Sequence, residues 1–337
     1  MTILVTGATS GLGRNAVDAL LRDGIAVRAT GRNLAAGEAL ERNGAEFVPA
    51  DLATLDEAKA DALLHGVDAV WHCAALSAPW GRHADFVAAN VSATRHMAQA
   101  AAVRGVRRFV HVSTPSIYFD YRHHRGIEET YRAARLANHY AATKAAAEDR
   151  ILTLSSQWRG TTFVILRPRG LFGPHDRVIV PRILQLLRSR HGVLPLPRGG
   201  KAFIDMTYVG NVVHAMKTAT HAPVASGEAF NITNFEPCTL ASMLQRLLGD
   251  GLGLRYRIRA LPYPLLDAAA RAAELGARLR RREPLLTRYG IGALHFDMTL
   301  SNARARQRLG YHPRHGIDEG IRLTADWIRG HGDHYGI

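Results

Sequence analysis

The chain opens with a short run of apolar and β-branched residues at 2–6, followed by apolar positions at 16, 17, 20 and 21, and a second apolar run at 25–30. A run bounded by turn residues reads as a buried strand. Apolar residues recurring every three to four positions read as one face of a helix. On that basis strands are expected at 2–6, 25–30, 46–49, 68–73, 107–113 and 161–166, with helices near 13–23, 34–43, 54–64, 84–103 and 140–157. Strict alternation of the two predicts an α/β fold with a doubly wound parallel sheet. Past residue 167 the alternation weakens. Pro168, Pro174, Pro181, Pro195 and Pro197 interrupt it, and Gly199–Gly200 mark a turn. The expected organisation is a first domain over 1–167 and a smaller α+β lobe over 168–337, interleaved with the first rather than independent. No internal repeat or low-complexity linker is apparent.

The link between the first strand and first helix is TGATSGLG, with glycines at 7, 11 and 13. Glycines also serve ordinary tight turns. Between a strand and a helix of a βαβ unit, however, they let backbone approach a pyrophosphate seated on the helix N-terminus, the Rossmann arrangement. Residues 1–167 therefore read as a dinucleotide-binding domain and 168–337 as a substrate lobe. Ligands of such sheets lie beyond the carboxyl ends of the strands.

Composition adds bounds. Hydrophobic content of 47% and charged content of 21% belong to a soluble globular chain. No apolar run reaches the roughly 18–20 residues of a membrane span, and with a strand at 2–6 and no basic n-region or cleavage site apparent, no signal peptide is expected. Two cysteines, Cys73 and Cys238, form neither a disulfide framework nor a metal spacing, which fits the cytoplasm. The net charge of +14 attracts anions, but the charges are scattered and no nucleic-acid motif accompanies them. The densest basic run, Arg278, Arg280, Arg281 and Arg282, follows a helical stretch over 265–279. That stretch reads as a helix packing on its own domain in preference to one resting on a membrane.

Two segments carry chemistry. YAATK opens the helix at 140 and places Tyr140 and Lys144 one turn apart on one face. A free phenol has a pKa near 10. A neighbouring ammonium is expected to lower it, so that the tyrosine exchanges a proton with a substrate oxygen while a nicotinamide exchanges the electron pair. VHVSTPSIY, residues 110–118, then offers Ser113, Thr114 and Ser116 just beyond a strand end as a hydroxyl to orient that oxygen.

TGATSGLG, VWHCAA (70–75), NVSAT (90–94), VSTPSIY (112–118), YAATK and LRPRGLFGP (166–174) occur in this order. Together they resemble the extended short-chain dehydrogenase/reductase family over nearly the whole chain. TYVGNVVHA (207–215), GEAFNITNFEP (227–237), EPLLTR (283–288) and LGYHP (309–313) are similar to its 3β-hydroxysteroid dehydrogenase branch, which includes sterol-carboxylate dehydrogenases and ketoreductases of long-chain keto acids. The resemblance implies Tyr140 as acid/base, Lys144 as its partner and Thr114 as the hydroxyl, with Ser113 in reserve. It implies a cofactor site of Gly7, Thr9, Ser10, Gly11, Leu12, Gly13, Arg32, Asp51, Leu52, Ala74, Ala75, Asn90, Tyr140, Lys144 and Pro168, with no metal. His72 falls at the strand end lining that site or in the core. Family members usually space the glycines TGxxGxxG. Here position 10 is serine and position 11 glycine, which puts the backbone contacts of those two residues in question.

The acid that holds a ribose 2′-hydroxyl at the end of the second strand is replaced by Gly31, with Arg32 next. Arginine suits a 2′-phosphate, so NADP(H) is the expected cofactor and NAD(H) the second choice, with Arg14 as a further contact. Asp51 reads as an adenine contact or as the cap of a helix starting near Leu55. The expected activity is interconversion of a secondary alcohol and a ketone on a hydrophobic small molecule, sterol-like or a long-chain 3-keto acid. Trp80, Tyr118, Phe172 and Tyr208 are candidate pocket residues, and a homodimer through cofactor-domain helices is implied by the resemblance. Two other readings stand beside it: an NAD-dependent nucleotide-sugar epimerase, and a nicotinamide sensor without turnover. Pro115 and Ser116 occupy the positions where a dehydratase needs an acidic pair, and Tyr140 and Lys144 are both kept where a sensor would typically lose one.

Overall fold

The computed structural model describes residues 1–176, 178–280, 283–284 and 286–331, without the side chains of 278–280. Seven parallel strands form the central sheet: β1 (Thr2–Thr6), β2 (Ala26–Thr30), β3 (Glu46–Phe47), β4 (Ala69–His72), β5 (Arg108–Val112), β6 (Thr162–Pro168) and β7 (Glu228–Ile232), in the spatial order β7-β6-β5-β4-β1-β2-β3. The doubly wound sheet expected from the alternation is present. The strand order reverses between β1 and β4, which pair from Ile3↔Ala69 to Thr6↔His72. That reversal opens a crevice at their carboxyl ends.

Period-two alternation assigns the faces. Ile3, Val5, Trp71 and Val110 point to one side, where they pack with Ala16, Val17 and Leu20 of α1 (Gly11–Arg22) and Val212, Val213 and Met216 of α6 (Val209–His221). Leu4, Val70 and Phe109 point to the other. There they meet Leu63 of α3 (Glu57–Leu64), Met97 and Ala101 of α4 (Ala93–Val103), and Ile151 of α5 (His139–Gln157). The strands are apolar on both sides because both faces are covered. The second edge helix, α2 (Leu34–Arg42), begins at an Asn33 cap whose side chain accepts from the Ala36 amide.

Four local features differ from the expectation. The segment read as one helix over 54–64 is a 3₁₀ turn, Leu52–Thr54, then a break before α3, because two aspartates cap in succession. Asp51 accepts from Ala53 N and Asp56 from Lys59 N. The helix read over 84–103 holds a widened π turn, Val87–Ser92, carrying Asn90. The strand Glu228–Ile232 was not anticipated; it pairs with β6 from Glu228↔Val164 to Ile232↔Pro168, so the chain returns to the sheet after residue 167. A short strand, His124–Ile127, also escapes the pattern. It pairs with Met298–Leu300 in the lobe.

The lobe has its own core of Leu184, Leu187, Ile204, Met206, Leu244, Leu247, Ile321 and Ile328. Its helix Tyr263–Arg280 packs Leu266 and Ala270 on Ile291. Of the basic run, Arg281 and Arg282 and the side chains of Arg278 and Arg280 lie outside the described residues. No described helix is long and apolar enough to cross a membrane.

Candidate active site

The glycine turn sits at the β1/β4 reversal. Gly7 has φ +64, and a Cβ there would lie 2.9 Å from the Ala74 backbone. A Cβ on Gly13 would stand 2.2 Å from the Gly7 carbonyl oxygen. These two glycines therefore bring strand, helix and the loop after β4 into backbone contact. Gly11 differs: φ is +53 but a Cβ would meet nothing within 4 Å. It is glycine for its conformation, and the space above it is open. Ser10 precedes α1 as its N-cap with no side-chain cap bond. The unusual spacing thus still leaves an open cradle at a helix N-terminus, which fits a pyrophosphate. Gly13→Ala is expected to lose roughly 1–3 kcal/mol by overpacking and to lose dinucleotide binding with it. Urea midpoints and a cofactor titration check this, and an unchanged midpoint would contradict the packing.

The loop after β4 is held by a buried neutral relay. The Thr94 hydroxyl donates to the Asn90 carbonyl at 2.7 Å, so it accepts from His72 Nε2 at 3.0 Å. His72 Nδ1 then accepts from Thr6 Oγ1 at 3.0 Å, and Thr6 Oγ1 accepts from Ala74 N at 3.1 Å. Burial pushes the His72 pKa down to about 3, which keeps it neutral. Asn90 Oδ1 accepts from Leu76 N at 2.7 Å, while its amide donates to Leu76 O at 3.3 Å and Thr143 Oγ1 at 3.1 Å. Asn90 and His72 therefore fix the backbone of 74–76. The π turn aims Asn90 at it, a geometry with no local sequence signal.

At the end of β5 the Tyr140 hydroxyl faces Thr114 and Ser77, whose hydroxyls favour its ionised form against the burial that raises its pKa. Thr114 Oγ1 donates to Ser116 Oγ at 3.0 Å and accepts from Ser116 N at 3.1 Å. Ser116 Oγ in turn is 2.7 Å from the Tyr289 hydroxyl. Ser113 is buried and its hydroxyl has no partner among the described residues. Thr114, and not Ser113, is the hydroxyl of this strand end that acts on the tyrosine. Ser77 and Tyr289 were missed. Ser77 stands in an unremarked loop, and Tyr289 reaches the site from a helix far along the chain, Arg288–His295.

Lys144 is 1% exposed. Its Nζ donates to the Val112 carbonyl at 2.7 Å and to His111 Nε2 at 3.2 Å. Burial pulls its pKa down to about 8, against the opposing pull of Glu148 and Cys73. His111 is held well below the usual histidine range, by burial first and Lys144 second. The expected lowering of the Tyr140 pKa by Lys144 is not what the structure has. Burial raises the phenol above its ordinary value, Thr114 and Ser77 oppose that, and Lys144 is committed elsewhere. Tyr140 is a protonated group at neutral pH, suited to giving a proton.

On the adenosine side, Arg32 is exposed and has no ion pair or hydrogen bond among the described residues. A Cβ on Gly31 would lie 2.8 Å from Thr9 Cγ2. Thr9 therefore fills the place of the missing acid. Arg14 is not free: its Nε donates to Asp18 at 2.9 Å and 3.1 Å. Asp51 caps the turn that carries buried Leu52. Ala75 follows the Ala74 clamp, and Pro168 ends β6. Tyr118, Phe172 and Tyr208 are core residues; Tyr118 donates to Asn231 Oδ1 and accepts from Arg167. Trp80 alone of the four candidates stands half-buried near the surface.

A Rossmann sheet with a glycine cradle, a Tyr-x-x-x-Lys helix and a threonine at the fifth strand's end defines an extended short-chain dehydrogenase/reductase. Comparison with known proteins agrees: residues 3–233 match the NAD dependent epimerase/dehydratase family, and the chain belongs to it, in the 3β-hydroxysteroid dehydrogenase-like branch. It is 51% identical to the uncharacterized protein YbjS of Escherichia coli, over 98% of this chain and 99% of that one. It is 32% identical to 2-alkyl-3-oxoalkanoate reductase of Shewanella oneidensis, over 94% and 84% of the two chains. Its identity to the decarboxylating sterol-4-alpha-carboxylate 3-dehydrogenase of Saccharomyces cerevisiae is 28%, over 84% and 83%. A solved UDP-glucuronic acid 4-epimerase from Bacillus cereus shares the fold, with TM-score 0.77 and 21% identity over 98% and 99%. The protein is thus an NAD(P)-dependent enzyme of the dehydrogenase/reductase kind.

Proposed function

We propose that the protein is an NADP(H)-dependent ketoreductase of a hydrophobic small molecule, either sterol-like or a long-chain 3-keto acid. The cofactor is held on residues 1–167 and the substrate under 168–337. The observation that carries the reading is the Tyr140 hydroxyl, protonated and facing Thr114 at the strand end where the sheet places its ligands. Relatives named for a 3-oxoalkanoate and for a sterol carboxylate support the substrate class.

When bound, the reduced nicotinamide supplies the electron pair. The chain's own residues do the rest. Thr114 and Tyr140 hold the ketone oxygen, and Tyr140 gives it a proton as the carbonyl becomes a carbinol. Lys144 faces the same strand end from below and is assigned to the ribose hydroxyls. Gly7, Thr9, Ser10, Gly11, Leu12 and Gly13 hold the pyrophosphate, and Asp51 and Leu52 the adenine. Ala74, Ala75, Asn90 and Pro168 form the walls. Two unpaired cysteines accord with a cytoplasmic enzyme, and we assign it a homodimer through cofactor-domain helices.

Cofactor choice rests on Arg32 beside a closed Gly31. Arg32→Ala is expected to weaken NADPH binding about tenfold or more, the scale of a lost charge-assisted contact, and to leave NADH binding unchanged. Fluorescence titration with each nucleotide tests it; equal weakening of both would remove the 2′-phosphate role. The reaction itself is tested by nicotinamide absorbance with 3β-hydroxysteroids and with long-chain 3-keto acids. Silence toward both, with NADPH bound, would overturn the reading.

A further inference from the structure

Two arginines stand two residues apart at the end of β6, and their surroundings differ. Arg167 is saturated: Nε and Nη2 donate to the two Glu148 oxygens at 2.9 Å and 2.6 Å, and Nη1 donates to the Tyr118 hydroxyl at 2.6 Å and the Glu129 carbonyl at 2.8 Å. A buried guanidinium so matched is a structural ion pair. Arg169 has none of this. Its Nε donates to the Met298 carbonyl at 3.0 Å, and its terminal nitrogens have no partner among the described residues. Nor are they sealed in as orphaned buried atoms. Asp205, the carboxylate whose charge acts on it, accepts from Leu300 N at 2.6 Å and makes no ion pair with it.

The position of Arg169 is fixed. Its amide donates to Ile232 O at 3.2 Å, and Thr207 Oγ1 donates to its carbonyl at 2.5 Å. Gly170 follows at φ +58, where a Cβ would lie 2.8 Å from Asp205 O. Ser113 N donates to Leu166 O at 2.7 Å, so Thr114 and Arg169 lie just past the ends of adjoining strands. Tyr289, bonded to Ser116, acts electrostatically on both Tyr140 and Arg169. A fixed guanidinium with an open fork, past the strand end that adjoins the one carrying Thr114 and with Asp205 acting on it but not paired to it, can receive an anion.

We propose that Arg169 binds the carboxylate of the substrate, so that the enzyme acts on β-hydroxy and β-oxo acids, whose carboxyl group is attached next to the reacting carbon. This rests on the ketoreductase reading above and sharpens it: the shared feature of a sterol carboxylate and a long-chain 3-keto acid is that acid. In the oxidative direction the balance is one β-hydroxy acid and one NADP+ to one β-oxo acid, one NADPH and one H+: the oxidised cofactor would take the C–H electron pair with its proton, and the hydroxyl proton would leave by way of the Tyr140 oxygen as Tyr140 passes its own proton to solvent.

The test uses a long-chain 2-alkyl-3-hydroxy acid and its methyl ester with NADP+, followed at 340 nm as a nicotinamide readout. The acid is expected to exceed the ester in kcat/KM by about 100-fold, the scale of a buried charge-assisted contact. Arg169→Gln should remove that preference, raising KM for the acid far more than KM for the ester. Calorimetric binding of a saturated long-chain carboxylate to the NADPH complex should weaken in the same variant. Equal use of acid and ester by the wild type, or equal loss of both in Arg169→Gln, would overturn the carboxylate role while leaving the ketoreductase standing. No turnover of either, with NADPH bound, would instead remove the ketoreductase reading itself.

Discussion

Tyr140→Phe is expected to bind NADPH as the wild type does and to lose about 10²–10⁴-fold in turnover, the range of a positioned general acid. The substitution removes one oxygen that faces Thr114 and Ser77, in a site whose other hydroxyls are linked: Thr114 to Ser116, and Ser116 to Tyr289. The ring keeps its place, so the fold and the cofactor cradle are untouched. The loss should fall on kcat more than on KM, because the proton is given only as the carbonyl oxygen gains charge. Burial raises the Tyr140 pKa, so the acid form persists through neutral pH, and reduction should show no decline between pH 6 and 8 from this group. Steady-state rates of the two proteins decide the matter. Undiminished turnover in the phenylalanine variant would remove Tyr140 from the mechanism.

Much of the arrangement was legible in the residues, for local reasons. Strands buried on both faces read as unbroken apolar runs, and the glycines announce their turn because backbone contact at 7 and 13 excludes any side chain. Tyr140 and Lys144 are one helical turn apart, so a period of 3.6 is enough to pair them. What stayed hidden depends on contacts between distant segments. The strand at Glu228–Ile232 is short and lies beyond proline-rich chain, and only its pairing with β6 makes it a strand. Tyr289 reaches Ser116 across 173 residues. The sign of the Tyr140 shift was misread because the spacing says that Lys144 is near. It does not say that the ammonium turns to Val112 and His111. Arg167 and Arg169 look alike in LRPRG, and only their partners separate the saturated one from the open one.

Lys144→Met is expected to disable catalysis by about 10²-fold or more without unfolding the protein, and its stability should respond to pH with a definite sign. In the folded protein burial holds the Lys144 pKa at about 8, against 10.5 for the ordinary side chain. For a base whose folded pKa is depressed, the unfolded chain binds more protons between those values. Stability therefore rises with pH across that window, and the full penalty is felt below pH 8. The penalty is roughly 3 kcal/mol by the proton linkage alone. Methionine removes it, yet leaves the Val112 carbonyl and His111 Nε2 without their donor, each a loss of about 1–3 kcal/mol. Near pH 7 these effects offset, and the two proteins should unfold at similar urea concentrations. At pH 9.5 the wild type should have gained stability relative to the variant, because only the wild type sheds the buried proton. Urea midpoints at pH 7, 8 and 9.5 measure this directly. A difference between the two proteins that stays flat across that range would mean that Lys144 keeps its ordinary pKa, and that its tight packing under the strand end imposes no electrostatic burden on the fold.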